Sequence, residues 1–308
     1  MNQAVTAISV ITLIRATRPP FLTVSVVGCL IGFALSWQHN GSLNPWACVL
    51  AIVIAVAAQA AANVINDYFD ALSGTDANNV DRISPFTGGS RMVQDHLLTE
   101  SQVIRFGIAI LICTMIAGAM LLEYLHAWHL IWIGLAGLAL AWAYSASPLQ
   151  LMGRGLWGEM AIVAAWALIV IGSALLEQHR ISLSAVLCGV AYGLLVANIL
   201  YANQIPDIRA DQGAAKMTLA VITPTPALWA WYAVFALGGH ALVALAVGAE
   251  LIKPMALVSG LALPFSLGAA RSLKAMPLTR ESMQSAIHKT ILGAHVFGIL
   301  LAAGIALG

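Results

Sequence analysis

Residues 45–70 read PWACVLAIVIAVAAQAAANVINDYFD. The stretch is apolar for long enough to cross a bilayer, whose hydrocarbon core of roughly 30 Å takes about 20 residues of helix. It then turns polar at Asn63, Asn66, Asp67 and Asp70. A spanning helix that ends in acids and amides is therefore the first expectation. The rest of the chain repeats the pattern: of 308 residues, 60% are hydrophobic and 9% charged, a composition that excludes a water-soluble domain. Apolar runs at residues 20–38, 45–69, 103–123, 128–146, 157–177, 183–205, 223–247, 252–271 and 286–307 predict an all-α protein of nine transmembrane helices, one integral-membrane domain over residues 1–308.

The net charge of +1 gives no reason to expect nucleic acid. With the N-terminus placed in the cytoplasm, Arg15, Arg18, Arg82, Arg91, Arg105, Arg154, Arg209, Lys216, Arg271, Lys274, Arg280 and Lys289 fall inside, and Arg180 and Lys253 outside. That asymmetry satisfies the positive-inside rule and leaves Gly308 outside. The apolar segment from Val5 to Ile14 lacks a basic leader and runs into Arg15 and Arg18, as an interfacial helix would. Cys29, Cys48, Cys113 and Cys188 stand singly in apolar runs and read as packing residues.

Aspartate is confined to two connections: Asp67, Asp70, Asp76, Asp81 and Asp95 after the second span, Asp207 and Asp211 after the sixth. The two places echo each other, Ala62-Asn63-Val64-Ile65-Asn66-Asp67 against Ala202-Asn203-Gln204-Ile205-Pro206-Asp207. Asn63, Asn66, Asp67 and Asp70, at offsets 0, 3, 4 and 7, lie within about 100° of helix circumference and form one stripe. Asn203, Asp207 and Asp211 form another. Carboxylates beside hydrocarbon need pairing, hydration or metal. An all-oxygen set favours a hard ion such as magnesium, which completes its shell with water and phosphate. Solvated helix ends, or the ion pathway of a transporter, would use similar residues; acids at two helix ends on one membrane face, rather than at mid-span, favour a binding site.

The run Asn66-Asp67-Tyr68-Phe69-Asp70 followed by Gly74-Thr75-Asp76 resembles the first aspartate motif of the UbiA superfamily of intramembrane prenyltransferases, and Asn203 to Asp211 resembles the second. Arg18-Pro19, Tyr144-Ser145 through Pro148, and Arg154-Gly155-Leu156-Trp157-Gly158-Glu159 add to the likeness. Within the superfamily the spacing looks most like the branch that prenylates 1,4-dihydroxy-2-naphthoate on the way to menaquinone. The resemblance implies helices around a central cavity in a bacterial inner membrane, with the active site facing the cytoplasm. It implies a polyprenyl diphosphate donor, an aromatic acceptor and Mg2+, held by Asn63, Asn66, Asp67, Asp70, Asp76, Asn203, Asp207 and Asp211. Cyclisation of the donor, or another acceptor such as 4-hydroxybenzoate or homogentisate, stays open, as do tail length and oligomeric state.

Two positions depart from the family pattern. Gly74 stands where the ubiquinone-type pattern has its last acid, and Met217 follows Lys216 where a second cation is common. Arg18, Arg91, Arg154 and Lys216 are the cations nearest the motifs, candidates for diphosphate or for membrane anchoring. Thr87-Gly88-Gly89-Ser90-Arg91 is a flexible turn or a cradle of amides for phosphate. Tyr144 offers a ring face to an allylic cation or anchors at the interface. His126 and His129 read as loop residues, and Trp128, Trp132, Trp229 and Trp231 as an aromatic belt.

Overall fold

The computed structural model describes residues 8–176 and 180–308. Of the expected interfacial helix, residues 5–7 lie outside the described residues; α1 (Val10–Ala16) follows, capped by Ser9 accepting from Thr12 N–H. Among the described residues nine helical stretches are long and apolar enough to span a membrane. They are built on α2 (Pro19–Asn40), α3 (Pro45–Ser73), α4 (Glu100–Tyr124), α5 (Ile131–Ser145), α6 (Leu156–Ala174), α7 (Leu183–Gly213), α9 (Leu228–Gly248), α10 (Leu263–Lys274) and α11 (Arg280–Leu307). A single 3₁₀ turn precedes α5 and a nine-residue 3₁₀ segment, Pro254–Ala262, precedes α10.

Local chemistry fixes the ends. Asn44 accepts from the N–H groups of Trp46 and Ala47, with Pro45 at the first helical position of α3. A full capping box of Thr99 and Gln102 starts α4. The sixth span runs on to Gly213, well past residue 205, because Asp207 and Asp211 lower the hydropathy without ending the helix. Pro206 inside that helix has no N–H to donate to the Ala202 carbonyl, so the backbone loosens next to Asp207.

The central helix α7 packs against α6, and a Cβ on Gly193 would lie 2.6 Å from the Val163 carbonyl oxygen, so the two backbones touch as small residues allow in membranes. Around it, Ile31, Val170, Cys188, Tyr192 and Phe297 make the main apolar core. A second core gathers Tyr201, Leu228, Tyr232 and Leu273. Tyr201 OH donates to Leu228 O at 3.0 Å and, beside it, Asn198 Nδ2 to Tyr232 O at 3.1 Å. Trp229 and Trp231 pack against this second core, Trp229 under Lys274 Nζ at 4.7 Å, instead of serving only as a belt. Trp132, 73% exposed on the thinly packed α5, fits the belt. Cys29 and Cys188 are buried; Cys113 is exposed on α4.

The connections after the second, fourth, sixth and eighth spans meet at one end of the bundle. A two-residue parallel bridge joins β1 (Arg154–Gly155) to β2 (Met217–Thr218), the latter leading into the short α8 (Leu219–Ile222). At the start of α11, Arg280 donates to the carbonyls of Asp81 at 3.4 Å and Arg82 at 2.9 Å.

Candidate active site

The two acidic motifs, 140 positions apart at Asp67 and Asp207, come together where these connections meet. From α3, Asp67 and Asp70 are buried; from α7, Asp211 is buried and Asp207 partly so. Lys216 Nζ stands 2.7 Å from Asp70 Oδ1 and 3.9 Å from Asp211 Oδ1, joining one motif to the other. Its place follows from the chain on either side. Lys216 N–H donates to Asp211 O at 2.8 Å, and Met217 is bound into the bridge with Arg154. Burial alone would lower the Lys216 pKa, but Asp70 and Asp211 outweigh it and hold the ammonium charged.

Gly74 ends α3 in the left-handed conformation, φ +76°, and turns the chain back. That turn brings Asp76 to the acids on the helix. The turn, and not the helix register, thus sets a carboxylate beside Asp67 and Asp70. Asp76 is buried, and its Oδ2 has no hydrogen-bond partner. Burial, followed by the neighbouring charges of Asp70 and Asp67, pushes its carboxyl up to about 7, against the pull of Arg18 and Lys216.

The glycine turn lies on these carboxylates. At Gly89, φ +70°, a Cβ would stand 2.3 Å from Asp76 Oδ2 and 3.2 Å from Asp67 Oδ1. The amide of Ser90 donates to Asp67 Oδ2 at 3.2 Å and that of Gly88 to Asp207 Oδ2 at 3.3 Å. These two amides orient the acids, a use that neither a flexible turn nor a phosphate cradle implies. Asn79, which the motifs do not include, donates to Asp207 Oδ1 at 2.7 Å. Its only signal in the sequence is its place in the connection after the second span, among Asp76, Asn78 and Asp81.

The other candidates divide. Arg18 pairs with Asp67 and donates to Asn66 Oδ1 at 3.3 Å; Asp67, Asp76 and Asp70 overcome the burial penalty and keep the guanidinium charged. Arg91 spans Asp76 O at 2.9 Å and Asp95 Oδ1 at 3.2 Å. Arg154 is exposed and donates to Pro148 O at 2.6 Å, away from the carboxylates. Asn66 Nδ2 reaches Met152 Sδ at 3.0 Å, so its carbonyl faces Arg18. Asn63 spends its amide on Thr17 O at 3.0 Å. Asn203 Oδ1 is buried without a partner.

Beneath these groups lies a cavity of 260 Å³ headed by Arg18, Asn66, Tyr144 and Asn203 and continued by apolar side chains such as Trp166 and Ile169. Among the described residues no three His, Cys, Asp or Glu side chains form a ready metal cage. The donors are all oxygens spread along a rim, with buried, unpartnered atoms on Asp76, Asn79 and Asn203. Such a set suits a hard cation that takes its remaining ligands from water and phosphate.

A family model described as the UbiA prenyltransferase family matches residues 25–288. A 1,4-dihydroxy-2-naphthoate octaprenyltransferase of Mycobacterium leprae is 30% identical over 210 residues, 68% of this chain and 68% of its own length. The UbiA prenyltransferase domain-containing protein 1 of Gallus gallus is 26% identical over 94% of this chain and 84% of its own. A solved UbiA homolog from Archaeoglobus fulgidus, bound to GPP and Mg2+, superimposes with a TM-score of 0.61 at 14% identity, covering 94% of this chain and 99% of the other. With two acidic helix ends joined by Lys216, nine candidate spans among the described residues and a family match over most of its length, the chain belongs to the UbiA prenyltransferase family.

Proposed function

We propose that the protein transfers a polyprenyl group from its allylic diphosphate to 1,4-dihydroxy-2-naphthoate and releases diphosphate, in a magnesium-dependent reaction. The observation that carries this reading is the pair of cations among the acids, Lys216 between Asp70 and Asp211 and Arg18 on Asp67, with Arg18 also lining an apolar cavity: charge for a diphosphate beside space for a tail. The naphthoate prenyltransferase among the relatives supports the choice of acceptor.

Asp67, Asp70, Asp76, Asp207 and Asp211, with Asn66, fit a magnesium diphosphate by their all-oxygen chemistry and by the open oxygen of Asp76. When bound, the metal supplies positive charge that offsets the negative charge growing on the leaving group. Arg18 and Lys216 stand at the same rim and stabilise that charge from the protein side. The cavity receives the tail and keeps water from the allylic cation, and the ring of Tyr144 faces the same space. The acceptor's electron-rich carbon forms the new carbon–carbon bond as the allylic carbon–oxygen bond breaks. Loss of the ring carboxylate as carbon dioxide restores aromaticity, so no strong protein base is needed.

Product analysis with purified protein tests the proposal. A prenylated naphthalene formed only when donor, naphthoate acceptor and magnesium are all present is the expected result. A cyclic hydrocarbon or alcohol from donor alone, or prenylation of 4-hydroxybenzoate in preference, would overturn it.

A further inference from the structure

Arg18 is a non-glycine residue held at φ 55° and ψ 63°, directly before Pro19 and Pro20. That left-handed conformation is costly for a residue with a Cβ and persists only where its surroundings impose it. Two amides of α3 impose it here. Asn63 Nδ2 donates to Thr17 O at 3.0 Å, just before Arg18, and Gln59 Nε2 donates to Phe21 O at 2.8 Å, three residues after it. Gln59 is in turn oriented by the buried Ser25, whose hydroxyl donates to Gln59 Oε1 at 2.7 Å.

Gln59, Asn63, Asn66 and Asp70 follow at offsets 0, 4, 7 and 11, so they continue one stripe along α3. Its upper rungs meet charge and its lower rungs grip the backbone on both sides of Arg18. With the Cα of Arg18 fixed in this way, the guanidinium leaves toward Asn66 and Asp67, and its Nε is buried with no hydrogen-bond partner. That free donor at the head of the cavity is suited to a phosphate oxygen.

We propose that Gln59 and Asn63 are positioning residues that clamp the entry of the first span and thereby set the place of Arg18 for diphosphate. Both side chains also line the cavity, so a direct role in holding the tail is the rival explanation. The proposal rests on the prenyl-transfer reading of the site, and inorganic diphosphate, which has no tail, separates the alternatives.

The experiment is a double-mutant cycle on inhibition by inorganic diphosphate with magnesium, in the full-length protein. Gln59→Ala and Asn63→Ala should each raise the inhibition constant about tenfold, the scale of a lost orienting hydrogen bond, while KM for the aromatic acceptor stays unchanged. In an Arg18→Ala background the same changes should shift it less than about twofold, since their target is gone. An unchanged inhibition constant, or an equal rise in both backgrounds, overturns the clamp. If Gln59→Ala does not insert, Ser25→Ala, which removes only the bond that aims Gln59, should give a shift of about threefold that also disappears without Arg18. Failure of inorganic diphosphate to inhibit the unaltered protein would instead count against the prenyl-transfer reading itself.

Discussion

Lys216 Nζ and Asp70 Oδ1, 146 residues apart in sequence, stand 2.7 Å apart. The contact ties the loop after the sixth span to the end of the second, and Asp211 on the other side of the ammonium, 3.9 Å away, makes Lys216 the link between the two acidic motifs. A cation in that place lets several carboxylates share a site near hydrocarbon and remains available to a phosphate oxygen.

Replacing Lys216 by alanine should therefore weaken donor use more than it harms the fold. Steady-state kinetics should show KM for the prenyl diphosphate rising about tenfold, with a smaller fall in kcat, because Arg18 still faces the leaving group. A change confined to the acceptor's KM would place Lys216 elsewhere in the reaction.

Gly89→Ala and Gly74→Ala both put a side chain on a left-handed residue, at φ +70° and +76°, yet they should behave differently. At Gly89 the new Cβ would meet Asp76 Oδ2 at 2.3 Å, whereas at Gly74 the nearest atom is Asn78 Nδ2 at 3.6 Å. Turnover should fall by about a hundredfold or more for Gly89→Ala, since displaced catalytic groups cost on that scale. Gly74→Ala should lose roughly 1 kcal/mol of stability and keep most activity. Equal activities in the two variants would detach the glycine turn from the site.

Magnesium dependence should change with pH through Asp76. Its carboxyl, raised to about 7 by burial and by Asp70 and Asp67, holds a proton below that pH, and a cation must displace it. The magnesium concentration for half-maximal diphosphate release should fall as pH rises from 6 to 7.5, by up to about tenfold per unit below 7. Above that window the carboxylate is already ionised and the dependence should flatten. Asp76→Asn should weaken the pH dependence without abolishing it, because the other buried carboxylates of the site compete for protons too; a half-saturation that worsens with rising pH would contradict the assignment.

Sidedness can be read by labelling. Asn78 and Gly213 are both exposed, the first just beyond α3 and the second at the last residue of α7, the two helices that carry the motifs. In a background without the native cysteines, Asn78→Cys and Gly213→Cys should react with an impermeant thiol reagent from the same, cytoplasmic side. Reaction from opposite sides would rule out one shared site.

The spans and the acid-bearing helix ends were legible because hydropathy and helical periodicity act locally. Their ends were less so: α7 continues through Asp207 and Asp211, where hydropathy fades but backbone bonding does not. What the sequence hid were partners chosen by tertiary contact. Asn63 shares a stripe with Asp67 and Asp70, but its amide is claimed by Thr17 O. Arg154 lies in a motif-like run, yet its guanidinium turns to Pro148 O. Asn79 and the amides of Gly88 and Ser90 meet carboxylates across distances in sequence that no short pattern encodes. Asp76 could be named from the sequence, but its entry into the site depends on the left-handed turn at Gly74.

The most direct test is magnesium-dependent diphosphate release by Asp70→Ala and by Asp207→Ala, one from each motif, with each variant verified as folded and inserted. Both substitutions leave the apolar spans intact, and each removes charge from the shared site. Turnover below about one per cent of the unaltered protein is expected for both, the scale on which lost electrostatic stabilisation of a leaving group acts. Near-normal magnesium-dependent turnover in either variant would contradict a single site built from the two acidic helix ends.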